Sequence, residues 1–429
     1  MISRKPAKWN RLDNAAKIFP PTSGKQDTKV FRFACELKEK IDPEVLQQAM
    51  ERTLERFPFY RSTLKKGLFW YYLEESSIQP LVKPESTPPC SALYDKNVRS
   101  LLFEVTYFQN RINLEIYHAL SDGTGALQFL RVMVSHYLLL KYKEELGSEP
   151  APIDYDPSMD QRSDDSFQKY YKKNTVRLVQ KRQHAYRLKG IRVPENRIRV
   201  IEGVMPVRAV IGKAHEYGAT LTALIAAVFL CSISETMSLR EKKRPVVLTI
   251  PVNMRQYFSS ESARNFFAVF EIPYLFSEKK PELSEVTRYV SDYFKQELTA
   301  ERMTLRMNSL AAIEHNVFAR AVPRVIKDWC LRAANRYTDM GITAALSNIG
   351  KVDMPAALKD YIRRFDVFVS TRRVQICMCS FGDDLTVTFS SAFESTEVQK
   401  NFFRILTSMG IPVTVSTNPM DEEQANESR

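Results

Sequence analysis

Apolar residues recur along this chain in two periods, and the switches between them mark out its elements. Val30 to Leu37 is an apolar-rich run of strand length. Asp42-Pro43 then supplies a helix cap and a first-turn proline, and Leu46, Ala49, Met50, Thr53, Leu54 and Phe57 follow at helical spacing. That spacing predicts a helix with one core face. After Arg56-Phe57-Pro58, short strands are expected around Leu68 to Leu73 and Leu101 to Tyr107. From Ile112 the alternation becomes strict. Ile112, Leu114, Ile116 and His118 fall on one strand face, with Asn113, Glu115 and Tyr117 on the other. A histidine therefore ends a buried row. Beyond a polar turn, Ser121-Asp122-Gly123-Thr124, a helix from about Gly125 to Lys143 is apolar almost all round, so it belongs at the centre of a core.

The second half opens with Tyr217-Gly218-Ala219-Thr220, where Thr220 can cap another all-apolar helix through about Ile233. Strands are predicted at Val246 to Val252, Phe266 to Leu275, Ala344 to Ile349 and Phe365 to Phe389, the last turning at Phe381-Gly382-Asp383-Asp384. Helices are predicted from Leu283 to Leu298, near Val325 to Tyr337, and from a capping-box-like Thr396 to Gln399 on to Met409. Each half mixes helices and strands around its own core, so the fold class is α/β (α+β) in two layers. The expected divisions are an N-terminal lobe 1–165, a basic connector 166–200, a C-terminal lobe 201–417 and a disordered acidic tail 418–429.

Composition narrows the function classes. With 44% apolar and 26% charged residues the 429-residue chain can bury a large core, and 13 glycines without GxGxxG or GxxxxGK[ST] argue against a glycine-cradled nucleotide site. No apolar stretch approaches the length of a bilayer span and the N-terminus has no apolar targeting segment, so a cytoplasmic protein is expected. Six cysteines without CxxC or HExxH give no disulfide framework and no expected metal site. The charge of +12 sits mainly between Lys169 and Arg199, where eleven Lys or Arg face one acid, after an acidic stretch from Lys141 to Asp165. A solvated crossover, phosphate binding, or contact with an anionic membrane all remain open for it. With no zinc-finger or RNP-like signature, a nucleic-acid partner is not expected.

The chemistry-bearing segment is HALSDG, His118 to Gly123. A histidine at the inward end of a strand can be held neutral near pH 7, as a general base requires, while Asp122 four residues on is placed to brace the turn or pair with a cation. This HxxxDG resembles the hallmark of acyltransferases related to chloramphenicol acetyltransferase and to the condensation domains of peptide synthetases, and the resemblance is closest to bacterial alcohol acetyltransferases. Three further segments resemble motifs of that superfamily in the same order. They are Phe57-Pro58-Phe59-Tyr60-Arg61, Pro251 to Phe258 (PVNMRQYF) with Arg264-Asn265-Phe266-Phe267, and Ser347-Asn348-Ile349-Gly350. The chain lacks the DFGWG segment of the plant members and has Tyr117 where many relatives carry a second histidine.

The resemblance implies two pseudo-symmetric lobes with a tunnel between them and His118 at its centre. It implies an acyl-CoA-dependent O-acyltransferase (EC 2.3.1.-) that moves an acetyl or other acyl group to an alcohol without a covalent acyl-enzyme, His118 acting as base. Asp122 and Gly123 would be architectural, with Arg61 as the partner of Asp122. Ser347 and Asn348 are candidate oxyanion donors, and Asn253 and Arg255 candidate substrate contacts or loop organisers. Acyl-CoA, acetyl-CoA in the simplest case, would be a co-substrate, with no permanently bound cofactor. The acceptor would be a small alcohol or amine. Two alternatives stay open: an acyl-carrier protein as donor, or a non-catalytic member that binds an anionic partner or membrane through the basic connector.

Overall fold

The computed structural model describes residues 9–147, 166–171, 184–260, 262–276, 282–315 and 321–418. Part of the expected connector (172–183) and all but the first residue of the expected tail lie outside the described residues. Among the described residues, fifteen strands form three sheets. The N-terminal strands are β1 (Trp9–Arg11), β2 (Val30–Leu37), β3 (Ser62–Lys66), β4 (Tyr71–Glu75), β5 (Lys83–Pro84), β6 (Phe103–Phe108) and β7 (Arg111–Tyr117). The remainder are β8 (Arg199–Pro206), β9 (Val246–Asn253), β10 (Phe267–Tyr274), β11 (Ala344–Lys351), β12 (Ile362–Val369), β13 (Val374–Phe381), β14 (Asp384–Ser391) and β15 (Thr414–Thr417). The longer helices are α1 (Pro43–Arg56), α2 (Gly123–Lys141), α3 (Val207–Glu216), α4 (Leu221–Ser234), α5 (Leu283–Glu297), α6 (Ala300–His315), α7 (Arg324–Met340) and α8 (Glu397–Ser408).

In the first half, β7 lies between β2 and β6 in a five-stranded sheet of order β12-β2-β7-β6-β5, with α1 packed on α2. Both faces of β7 are covered. The face carrying Asn113 and Glu115 is satisfied by a polar network: Arg32 Nε donates to Glu115 at 2.8 Å, and Asn113 donates to Glu85 at 3.1 Å. Such pairing is what lets charged groups stay inside. In the second half a seven-stranded sheet of order β10-β9-β11-β13-β14-β8-β15 carries α4, which is buried from Ala223 to Ser234 and packs on α5 and α8. An all-round apolar helix needs such a central seat. No single helix among the described residues is long and apolar enough to cross a membrane. α3 and α4 together have the length and composition, but they are bent by 82° and α4 is sealed in the core.

Several expectations need correction. The run Leu68 to Leu73 is not one strand: Gly67 N bonds Trp70 O at 2.9 Å, and this turn separates β3 from β4. The helix expected from Gly125 begins at Gly123, because Asp122 Oδ1 accepts the Gly125 N–H at 2.9 Å and caps it. Thr396 precedes α8 but makes no side-chain cap. The long run Phe365 to Phe389 holds parts of three strands, and the first of them leaves its neighbours. β13 and β14 form the expected hairpin in the large sheet, whereas β12 crosses to the first sheet and pairs antiparallel with β2, Val367 opposite Phe33. Where the sheets meet, Glu202 of β8 is buried with Asp366 of β12 beside it, and Arg111 and Arg364 each approach Glu202 to 3.4 Å.

Candidate active site

His118 follows β7, its N–H bonded to Lys29 O at 2.8 Å. Its ring stacks on Phe19, carried by the one-turn helix Phe19–Thr22, with centroids 4.5 Å apart and planes 21° apart. Phe31 and Phe267 close in at 4.9 and 5.6 Å. The ring is half-buried and lines a cavity of about 900 Å³. These surroundings desolvate the imidazolium and push the His118 pKa below its ordinary value, with Asp122 and Asn265 opposing the shift.

The tautomer of His118 follows from its partner. Asn265 Nδ2 faces two groups that can only accept, His118 O at 3.0 Å and the Asp13 carboxylate at 3.2 Å. That fixes the amide so that Oδ1 meets His118 Nδ1, at 3.1 Å. An oxygen there needs a donor, so the proton sits on Nδ1 and Nε2 keeps its lone pair. Asp13 is wholly buried and accepts from Ala16 N at 2.7 Å and Asn265 N at 3.3 Å, with Arg264 at 3.7 Å. Asp13 and Asn265 thus orient the imidazole from below.

Asp122 does three things at once. Oδ1 caps α2, while Oδ2 accepts from Phe266 N at 2.8 Å and from Arg255 Nη1 at 2.8 Å. Arg255, in the short turn Met254–Gln256 just past β9, spends its other donors on the following loop, bonding Ser262 O at 2.7 Å and Arg264 O at 2.5 Å. Asp122 and Arg255 therefore hold the segment that delivers Asn265 to His118. The expected partner Arg61 is elsewhere. It ends the turn Pro58–Tyr60 and enters β3, its N–H on Pro58 O and its carbonyl accepting from Ser76 N. The aromatic residues before it serve the core, Tyr60 stacking on Phe129 at 4.3 Å.

Of the other expected residues, Gly123, Asn253, Ser347 and Asn348 line the cavity. Gly123 opens α2, where an added Cβ would meet Ile349 Cδ1 at 3.0 Å. The tighter glycine is Gly125, whose Cβ would fall 2.0 Å from Ala263 O. Asn253 Oδ1 accepts from Arg255 N and Nη1 at 3.0 and 3.2 Å, a loop-organising role. Asn348 is tied to Thr222 and to Gly350 N, both at 2.8 Å, beside a register shift in β11. Ser347 is half-buried with no side-chain hydrogen bond to another described residue, which leaves its hydroxyl free to donate. Phe19, Asp13 and the apolar lining were not anticipated. Phe31, Phe33, Val367 and Val369 form one wall, and Ile250, Val252, Phe270, Phe294 and Leu298 another. Asn265 and Phe267 lie within Arg264-Asn265-Phe266-Phe267, and Val252 within Pro251 to Phe258, segments the sequence marks without assigning these residues a role.

No family model and no curated protein matches the chain by sequence. Solved structures do match it by shape. TRI101 from F. sporotrichioides, complexed with coenzyme A and T-2, matches with a TM-score of 0.63 at 13% identity, covering 95% of this chain and 99% of that one. The trichothecene 15-O-acetyltransferase TRI3 from Fusarium sporotrichioides matches at 0.60 and 13% identity, with 93% and 94% covered. The starter condensation domain of rhizomide synthetase RzmA, in complex with C8-CoA and Leu-SNAC, matches at 0.57 and 12% identity, with 94% and 93% covered. The chain therefore shares, over nearly its whole length, the mixed α/β fold of these acetyltransferases and condensation domains.

Proposed function

We propose that the protein is an acyl-CoA-dependent O-acyltransferase in which His118 is the general base. The observation that supports this most is the neutral, oriented imidazole at the wall of a cavity to which both halves contribute. His118 Nε2 takes the proton of an acceptor hydroxyl as its oxygen attacks the thioester carbonyl. The new C–O bond forms, the C–S bond breaks, and the proton passes from His118 to the departing thiolate of CoA. Ser347 Oγ is the candidate donor to the developing oxyanion. A covalent acyl-enzyme finds no support among the described residues, since no serine or cysteine side chain bonds His118. The thiol lining the cavity, Cys377, is pushed up to about 12 by burial.

The apolar walls and the volume favour substrates larger than acetyl and a short alcohol. A cavity near the upper end of the usual ligand range suits a medium-length acyl chain or a bulky apolar acceptor. Thiol release from acyl-CoAs of graded length, with a panel of alcohols and amines, tests the reading. The rate should rise beyond acetyl and need an alcohol, and His118→Ala should lose at least about a thousandfold while keeping its fold. An unchanged rate in that variant overturns the proposal. Faster transfer from a loaded carrier than from free acyl-CoA would replace CoA as the donor.

A further inference from the structure

α7 is built inside out. Its inward side carries Lys327 and Asp328, both buried: Lys327 Nζ lies 3.9 Å from the Trp70 ring centroid and donates to Phe69 O, and Tyr71 donates to Asp328 at 2.8 Å. Its outward side carries Val325, Ile326, Trp329 and Tyr337, exposed by 67, 53, 69 and 60%. At 100° per residue these four, with Cys330 and Ala333, fall on one arc centred near Ala333; Arg332 lies just outside its Val325 edge and Arg336 falls inside that edge, between Val325 and Trp329. The arc continues onto the β3–β4 turn. Arg324 N bonds Leu68 O at 3.0 Å, which sets Leu68 (74% exposed) and Phe69 (43%) beside the start of the helix.

A soluble protein normally buries such a stripe and turns its lysines outward, so an exposed face of this kind has an occupant. The charges around it choose among occupants. Arg332 and Lys66 are exposed at its border, and Arg336 is exposed just inside it. The acids of α7 are both withdrawn, Asp328 into the core and Asp339 into pairs with Arg372 and Arg373. The chain as a whole carries +12. A basic helix with tryptophan and tyrosine on its apolar side suits the boundary between lipid headgroups and acyl chains.

We propose that α7 and the β3–β4 turn form a docking surface for an anionic lipid bilayer. α7 packs against the one-turn helix Phe19–Thr22, whose Phe19 stacks on His118, so α7 and that short helix stand between the docked face and the candidate base. A membrane-seated enzyme could then draw apolar substrates directly from the bilayer.

The test is flotation of the full chain with phosphatidylcholine vesicles, with and without about one-third phosphatidylglycerol. At least about tenfold more protein should float with the anionic vesicles, and Ile326→Asp/Trp329→Asp should lose that excess without changing thermal unfolding or transfer to a soluble alcohol. Arg332→Glu/Arg336→Glu should remove the preference for anionic lipid. Tryptophan emission should shift to the blue on mixing, and the shift should vanish in Trp329→Phe. Equal flotation of the parent and the Ile326→Asp/Trp329→Asp variant overturns the proposal. So does a dimer in sedimentation velocity that this variant splits into monomers, because a second copy would then be the occupant.

Discussion

Arg255 Nη1 meets Asp122 Oδ2 at 2.8 Å, joining side chains 133 positions apart in sequence and each less than one-tenth exposed. Removing one partner of a buried pair leaves the other charge uncompensated, at a cost of about 3–5 kcal/mol. Asp122→Ala should therefore lose stability of that order in denaturant unfolding and most activity besides. Asp122→Asn should lose less, since asparagine caps α2 as well as aspartate does. A wild-type unfolding midpoint for Asp122→Ala would contradict the bracing role.

Asn265 offers a separate handle on the imidazole. Without its amide oxygen, nothing reserves Nδ1 for the proton, and part of the ring population should place the proton on Nε2 where it cannot serve as base. Asn265→Ala should lower kcat about ten- to a hundredfold with KM little changed. Nitrogen NMR of the His118 ring separates this from simple loosening. The parent should show the Nδ1–H form, the variant a mixture.

The depressed His118 pKa fixes the acid side of the pH profile. The ring is neutral down to a pH below the ordinary value of 6.5, so kcat/KM should be level through pH 7 and fall only below 6.5. The same shift links to stability. The unfolded ring takes up its proton at a higher pH than the folded one, so the stabilising contribution is present above 6.5 and is lost as pH falls through the lower folded value. An acid limb centred above 6.5 would contradict the desolvated site.

The two glycines at the start of α2 should respond unequally. Gly123→Ala asks only the end of the Ile349 side chain to move and should keep the fold with a modest rate loss. Gly125→Ala drives a methyl group into the Ala263 carbonyl and should displace the loop that carries Asn265. Unfolding and activity of the pair measure the contrast. Equal tolerance would mean that the loop is looser than its packing indicates.

Glu202 gives a prediction of opposite sign. Burial raises its pKa to about 8 from the ordinary 4.5, with Asp366 beside it adding to the rise. A carboxyl that holds its proton more tightly when folded stabilises fully below 4.5, and that contribution is lost as pH rises through the folded value. As pH rises from 5 to 9 the thermal unfolding midpoint of the parent should fall, and Glu202→Gln should flatten that fall. A slope unchanged by the substitution would assign it to other groups.

Local signals in the sequence were good guides to local structure. Asp42-Pro43 and Thr220 start α1 and α4 as their capping chemistry dictates, and the alternation from Ile112 to His118 does end on the cavity. Pairings between distant segments left no such trace. Asp122 and Arg255 each carried a plausible role, but nothing local said that they meet, and Arg61 was as good a cation on sequence grounds. Asp13 lies more than two hundred positions from the amide it supports. β12 looked like the start of a hairpin because strand propensity does not encode the choice of sheet.

β12 also has a consequence for how the molecule is made. Residues 362–369 complete a sheet whose other strands all lie before residue 109 or within 111–117, so β2 waits with a bare edge until some 250 further residues have been synthesised. An unpaired edge of Phe31, Phe33 and their neighbours invites association with other chains. The first half alone should therefore be sticky and poorly ordered, whereas supplying the missing segment in trans should rescue it. Both halves of the cavity around His118 are thereby committed to a single late event in the life of the nascent chain.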